Sequence, residues 1–203
     1  MPAWRDLEAD LAQRLADASD GERAVFCAGV SERLMRTHAA LPAHVQRPFT
    51  LRLRPLLDAV WAAGLGDTSA FDAVKRGLGA FYLSEYCHSN GADGPDDARE
   101  PAAAAVLDAA RAYMHGCCDF ALFTSGAALE ATTGVPREDD PLTQDPEELR
   151  ASELLRQLRD LDRIALHAAD LRRARFGLAG ATTDRLRREL QAALSRLDDL
   201  AQA

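Results

Sequence analysis

Apolar residues recur at helical spacing along most of this chain. Near its start, four of them are separated by three, four and four positions: Trp4, Leu7, Leu11 and Leu15. This spacing predicts an amphipathic helix over about residues 3–18, and similar stripes predict helices over about 49–63 and 69–87. We therefore expect an all-α protein, a multi-helix bundle in which every stripe faces a shared core.

One segment departs from this amphipathic pattern. The letters AVFCAGVSERLM, residues 24–35, are apolar or small on every side until they reach Glu32 and Arg33. A helix that is apolar all round is buried, so we expect a central helix over about residues 22–38. This helix carries an acid and a base into the core or to its edge.

Buried charges need partners, because an unpaired charge inside a protein is strongly unfavourable. The string RPLLDAVW belongs to the next predicted helix, where Arg54 and Asp58 lie four residues apart. We expect Arg33 to pair with Asp58. We also expect Glu32 to pair with Arg36 or Arg54, which completes a structural polar network. The alternative is a polar pocket in which these side chains bind a ligand or orient a residue of a partner.

The second half of the chain predicts one long helix and a hairpin. The long helix begins near Pro101 and exceeds thirty residues, and it bends or divides at Gly116 or Gly126. Farther along, two apolar series share spacings of four, three, four and three: Leu154, Leu158, Leu161, Ala165 and Ala168, then Leu186, Leu190, Ala193, Leu197 and Leu200. Matched series predict a C-terminal antiparallel helical hairpin, residues 145–203, packed on a helical core, residues 1–133.

Composition supports the helical assignment and restricts the kind of partner. Among the 203 residues there is one isoleucine, Ile164, and few valines, whereas a mixed α/β domain needs strands rich in β-branched residues. The net charge is −8, which argues against a nucleic-acid partner and is compatible with a basic protein partner.

The sequence also predicts the compartment. The first residues are polar and amphipathic, unlike a signal peptide, and no apolar run approaches the ~20 residues of a membrane helix. The four cysteines include the adjacent pair Cys117 and Cys118, a spacing unsuited to a disulfide framework. We expect a cytoplasmic protein with reduced thiols and no membrane partner, in which Cys117 and Cys118 pack within the long helix.

Two acidic segments that contain glycine and proline predict loops. Their acidic residues include Asp93, Asp96 and Asp97 in the first segment, and Glu138, Asp139 and Asp140 in the second. A run of charge in a loop is usually no more than a solvated surface. The sharper alternative is that these six residues bind a basic partner and accelerate the encounter with it.

Few residues point to catalysis. Glu85 and His88 form a single Glu-x-x-His, whereas di-iron helical bundles use two such motifs. A different metal site would combine His88 with His115 and His167, but their spacing gives no positive reason for it. The sequence has no glycine-rich phosphate loop and no Gly-x-Ser-x-Gly elbow. We therefore assign no catalytic, cofactor-binding or metal-binding residues and expect no cofactor.

Four short motifs follow one another in a recognisable order. They are VFCAGVSERLMRTH, LRPLLDAVW, PAAAAVLDAARAYMHG, and an Asp145-Pro146 pair that precedes a long charged helix. In this order they resemble the bacterial domain-of-unknown-function family 416, a family of small all-helical proteins. The resemblance covers about residues 1–180 and implies an all-helical fold. It brings no catalytic residues, because the family has none assigned.

These observations leave three hypotheses about function. The first is a non-enzymatic bacterial protein-binding protein, for example an immunity protein that blocks a basic toxin such as a nuclease. That example rests on analogy with other small, acidic, helical proteins. The second is a metal-dependent helical-bundle enzyme that uses Glu85, His88 and other histidines. The third is an oligomerising structural module, a possible homo-oligomer in which the C-terminal apolar series pair between chains.

Overall fold

A computed structural model describes residues 4–87, 99–133 and 145–197. This part of the chain is helical nearly throughout and contains no strand, which confirms the predicted all-α, multi-helix fold. The α-helices are α1 (Trp4–Asp17), α2 (Asp20–Ala39), α3 (Pro48–Arg52), α4 (Arg54–Gly64), α5 (Phe71–Tyr82), α6 (Pro101–His115), α7 (Cys118–Thr133), α8 (Pro146–Ala165), α9 (Ala168–Ala174), α10 (Gly180–Leu186) and α11 (Ala192–Leu194). Short 3-10 helices cover Thr68–Ala70 and Glu85–Cys87, and a π-helical turn, Arg187–Gln191, joins α10 to α11.

The central element is α2, as the apolar segment predicted. Every residue from Ala24 to Arg33 is buried, and the helix packs against α4, α6, α7, α8 and α9. A capping box fixes its start: the Ser19 hydroxyl accepts a hydrogen bond from the Glu22 amide, and the Glu22 carboxylate accepts one from the Ser19 amide. The other helices are arranged around α2.

The predicted long helix is divided at Gly116 into α6 and α7. Gly116 ends α6 in the left-handed conformation, with φ +65°, which glycine adopts without steric cost. A Cβ atom at this position would also lie 2.8 Å from Oδ2 of Asp20, so the chain passes too close for a side chain. Gly126, the other proposed division point, lies inside α7.

The C-terminal helices pack mainly on the rest of the bundle. α8 lies against α1, α2 and α7, while the continuous helical stretch from α10 to α11 reaches α2. Gly29 permits that approach, because a Cβ atom there would lie 2.9 Å from Cβ of Leu194. Two contacts join α8 and its end to the later helical stretch in antiparallel order. His167 contacts Glu189, and Arg156 donates a hydrogen bond to the Arg196 carbonyl. The predicted hairpin, in which the two matched apolar series pack against each other, is nevertheless not confirmed.

A helix can cross a membrane only if it is both long and apolar. Within the described ranges, none of the helices combines the length and the apolar character that crossing a bilayer requires.

Candidate functional site

The Arg33 side chain extends from α2 towards α8 and lies almost wholly inside the protein. Its Nη1 donates hydrogen bonds to Oδ2 of Asp160, at 2.6 Å, and to the carbonyl of Leu194, at 2.9 Å. Its Nη2 lies 3.6 Å from Oε1 of Glu153. The prediction that Arg33 pairs with Asp58 is therefore wrong. Its charged partners come from α8, more than a hundred positions later in the chain.

The α8 residues around Arg33 form a buried polar row that the sequence analysis missed. Glu153, Gln157 and Asp160 are separated by four and three residues, and all three are buried. The Gln157 amide donates to Glu153 at 2.9 Å and accepts from the Ser125 hydroxyl on α7 at 2.6 Å. The four-and-three spacing of these residues is visible in the sequence beside the leucine series, and it is the signal that could have identified the buried polar row.

Burial dominates the electrostatics of this row. Loss of hydration raises the pKa of the Asp160 carboxyl, and the Arg33 guanidinium offsets only part of that effect. Two carboxylates, Glu153 and Asp160, share one buried guanidinium. The arrangement fixes α8 and α11 against α2.

The Glu32 side chain belongs to a different cluster on the opposite side of α2. Its Oε1 accepts hydrogen bonds from Arg36, at 2.9 Å, and from Arg54, at 2.8 Å, the two partners proposed from the sequence. Asp58 pairs with Arg54 at 2.5 Å, near the surface. Consecutive helical residues face different directions, and accordingly Glu32 and Arg33 have different partners. The four residues grouped from the sequence therefore divide into two separate clusters.

The cluster around Glu32 favours its ionised form. Burial opposes ionisation, but hydrogen bonds from Arg54 and Arg36 outweigh it and hold the pKa of the Glu32 carboxyl below its usual value. The hydrogen bond to Glu32 in turn raises the pKa of Arg54. This geometry is that of a structural ion cluster, because the Glu32 carboxylate is buried under its partners.

The cysteines divide into one buried thiol and three partly exposed ones. Burial raises the pKa of Cys27 to about 12, so this thiol stays protonated and unreactive at neutral pH. Cys117 and Cys118 lie at the junction of α6 and α7 and are partly exposed. They were predicted to pack inside an apolar helix. Cys118 does begin α7, but Cys117 lies between Gly116 and that helix, and neither thiol is fully buried.

The structure does not assemble the suggested metal ligands. Glu85 begins an exposed 3-10 turn, and His88 lies outside the described residues. His115 is exposed and packs beside the Phe120 ring, while His167 lies 3.7 Å from Glu189. Over the described ranges, no group of three histidine, cysteine or acidic side chains is placed to hold a metal ion.

An acidic surface, in contrast, is present on α1 and α8. Arg150 lies over the ring of Trp4, and Arg14 pairs with Asp162 at 2.7 Å, so the two helices run parallel. Their N-terminal ends therefore lie side by side. Two arginines, Arg5 and Arg150, lie over the Trp4 ring at this end. Exposed acidic residues outnumber them there: Asp6, Glu8, Asp10, Asp145, Glu147 and Glu148. We call these six residues the acidic surface.

The acidic residues predicted to bind a partner lie outside the described residues. They are Asp93, Asp96, Asp97, Glu138, Asp139 and Asp140. Residues 138–140 precede Asp145 by only a few positions in the chain, so the second acidic segment adjoins the acidic surface in sequence.

Comparisons with protein-family models, with curated proteins and with solved structures found no match to this chain. The resemblance to family 416 therefore stays a hypothesis.

Proposed function

We propose that this chain is a non-enzymatic protein-binding protein that docks a basic partner on its acidic surface. The supporting observation is the parallel packing of α1 and α8, which brings together carboxylates that are far apart in sequence. Residues 1–162 contain 16 basic and 27 acidic residues, a net charge of −11. The acidic surface lies within this strongly negative part of the chain.

Helices hold these carboxylates in fixed positions before any partner arrives. Such preorganisation lowers the entropy lost on binding, and a field of one sign accelerates the encounter with a partner of the opposite sign. Glu138, Asp139 and Asp140 extend the same charge along the chain towards Asp145. In this proposal the acidic segment and the acidic surface bind one partner together.

The kind of partner that fits best is a basic bacterial toxin, with this chain as its immunity protein. A small helical protein that covers a cationic active site by charge complementarity needs no catalytic residues of its own. The proposal places the protein in the cytoplasm, where such a toxin would have to be blocked.

Charge reversal on the acidic surface tests this proposal. The test variant carries Glu147→Lys and Glu148→Lys, and the control carries Asp72→Lys and Glu85→Lys, which are exposed acidic residues elsewhere. Both variants change the net charge by the same amount. Basic proteins encoded next to this gene serve as partners, and stopped-flow mixing at several salt concentrations gives the association rate constant.

We expect the test variant to associate at least about tenfold more slowly at low salt, while the control stays within about twofold of the original protein. Neutralising residues 138–140 to their amides should have an effect in the same direction. Equal rates for the two charge-reversed variants would refute the assignment of this surface. For the immunity proposal, the readout is survival of cells that co-express the toxin.

A further inference from the structure

The end of α8 and the helices that follow it carry the opposite charge. Residues 163–189 contain seven arginines and three acidic residues, a net charge of +4 in a chain of net charge −8. Asp170 accepts hydrogen bonds from both Arg173, at 2.8 Å, and Arg185, at 2.5 Å, so two cations share one carboxylate. Arg172 and Arg188 are exposed and have no acidic partner among the described residues.

Two large apolar side chains that the protein does not cover lie in the turns at the two ends of α9. Leu166 is 82% exposed and Phe176 is 85% exposed, whereas Leu171 and Ala174 on the inner face are buried. The exposed residues of α9 and of the turns at its ends include Leu166, Ala169, Arg172, Arg173 and Phe176. We call these five residues the α9 face, in which two apolar side chains flank a pair of arginines.

Helix-dipole complementarity explains only part of this arrangement. Acidic residues in the first turn of α8 and a basic residue in its last turn stabilise the helix. The dipole gives no reason for a leucine and a phenylalanine to project into solvent at the same end. Isolated exposed apolar residues are common on proteins, but here they bracket two exposed arginines in the chain, and one of these, Arg172, has no acidic partner among the described residues.

We propose that the α9 face docks on the surface of an anionic lipid bilayer. A surface helix that exposes Arg172, with Leu166 and Phe176 exposed in the turns at its ends, fits an interface at which arginines contact phosphate groups and apolar side chains enter the acyl boundary. A bilayer needs no complementary pocket for Leu166 or Phe176, whereas a protein partner would. Nucleic acid is less favoured, because this face offers one aromatic ring for stacking.

This proposal goes beyond the docking of a basic partner and concerns a different region. The acidic surface lies at the start of α8 and the α9 face beyond its end, and the 20 residues of α8 separate them by about 30 Å. That distance exceeds the Debye length of about 8 Å at physiological salt, so the two charges act independently. The expectation of no membrane partner came from the absence of a long apolar run, which concerns only spanning segments.

Vesicle co-sedimentation of the full chain tests the proposal. The vesicles are either pure phosphatidylcholine or phosphatidylcholine enriched in phosphatidylglycerol. One variant carries Arg172→Glu and Arg173→Glu, and its control carries Lys75→Glu and Arg76→Glu, an exposed basic pair on α5. A second variant, Phe176→Ser, has Leu83→Ser as its control, because Leu83 is 87% exposed elsewhere. Circular dichroism verifies that all variants fold.

We expect the original chain to sediment with anionic vesicles and not with neutral ones, and added salt to weaken this binding. The arginine variant and the Phe176 variant should each lose at least about tenfold in apparent affinity, while both controls retain it. Absence of binding to anionic vesicles, or equal binding by all variants, overturns the proposal.

Two further results also overturn the proposal by identifying another occupant. The first is self-association, seen by light scattering, that the arginine variant abolishes in the absence of vesicles. The second is a shift of a single-stranded oligonucleotide with the same dependence on Arg172 and Arg173. Because the acidic surface is untouched in these variants, failure here leaves the proposed binding of a basic protein standing.

Discussion

Removing the Asp160 carboxylate tests whether the cluster around Arg33 is a buried ion network. The Arg33 and Asp160 side chains are only 6% and 5% exposed. Loss of one partner from a buried pair costs about 3–5 kcal/mol, because the remaining charge stays desolvated. In Asp160→Ala, Arg33 keeps Glu153 at 3.6 Å and the Leu194 carbonyl at 2.9 Å. We therefore expect the lower end of that range, a loss of about 3 kcal/mol.

Asp58→Ala is the matched comparison. Asp58 also pairs with an arginine, Arg54, at 2.5 Å, but these side chains are 56% and 39% exposed. Exposed pairs contribute about 0–1 kcal/mol, so the loss should stay below about 1 kcal/mol. Urea unfolding followed by circular dichroism gives the free energy of unfolding for both variants, and an unchanged slope with denaturant validates the comparison.

The difference between the two losses decides the question. If Asp160→Ala costs no more than Asp58→Ala, Arg33 reaches water in the folded protein and the cluster is not a buried network. Asp160→Asn adds a further check, because it removes the charge and keeps the shape and one hydrogen-bond acceptor. We expect its loss to be smaller than that of the alanine variant, since part of the pairing energy of Asp160 is offset by its desolvation.

Three further predictions concern other sites. A thiol-specific chromogenic reagent should modify Cys27 only after denaturation, because burial raises the pKa of this thiol to about 12. The other three cysteines should react in the folded protein. Modification of all four thiols at similar rates would contradict this prediction. Gly116→Ala should destabilise the protein by at least about 1 kcal/mol, because φ at this position is +65°. Gly126→Ala, inside α7, should stabilise it by up to about 1 kcal/mol. Urea unfolding measures both changes. The lowered pKa of Glu32 stabilises the fold above the usual pKa of 4.5, and this contribution is lost as pH falls through the folded value. Urea unfolding over this acid range should therefore show a smaller decline for Glu32→Gln than for the original chain, and parallel declines would exclude the Arg54 contact as the cause.

Periodicity was sufficient to predict the helical class and the central position of α2. The apolar stripe of α1 and the all-round apolar character of α2 are local patterns of the sequence. Each pattern directly predicts which side chains are buried. The division at Gly116 was only one of two options. Small residues continue on both sides of it, so the sequence does not show which of the two glycines ends the helix.

Pairing and orientation could not be predicted in the same way. The sequence suggested a partner for Arg33 on the next long helix, α4. In the bundle α8 packs beside Arg33 instead, and Asp58 on α4 is exposed. The spacing of Glu153, Gln157 and Asp160 indicated a polar face without indicating what it contacts. Likewise, the stripes of α1 and α8 do not specify direction, so their parallel packing and the acidic surface that it creates required the structure.

The contacts of Arg33 also have a consequence for the order of folding. Its hydrogen-bond partners Asp160 and Leu194 lie 127 and 161 positions later in the chain. During synthesis, α2 therefore emerges with a charged side chain that stays hydrated, because its buried partners are made only after most of the remaining chain has followed. Closing such long loops slows folding and favours a partly collapsed intermediate. We expect the native packing of α2 to form late, when α8 and α11 dock, although its sequence lies near the beginning.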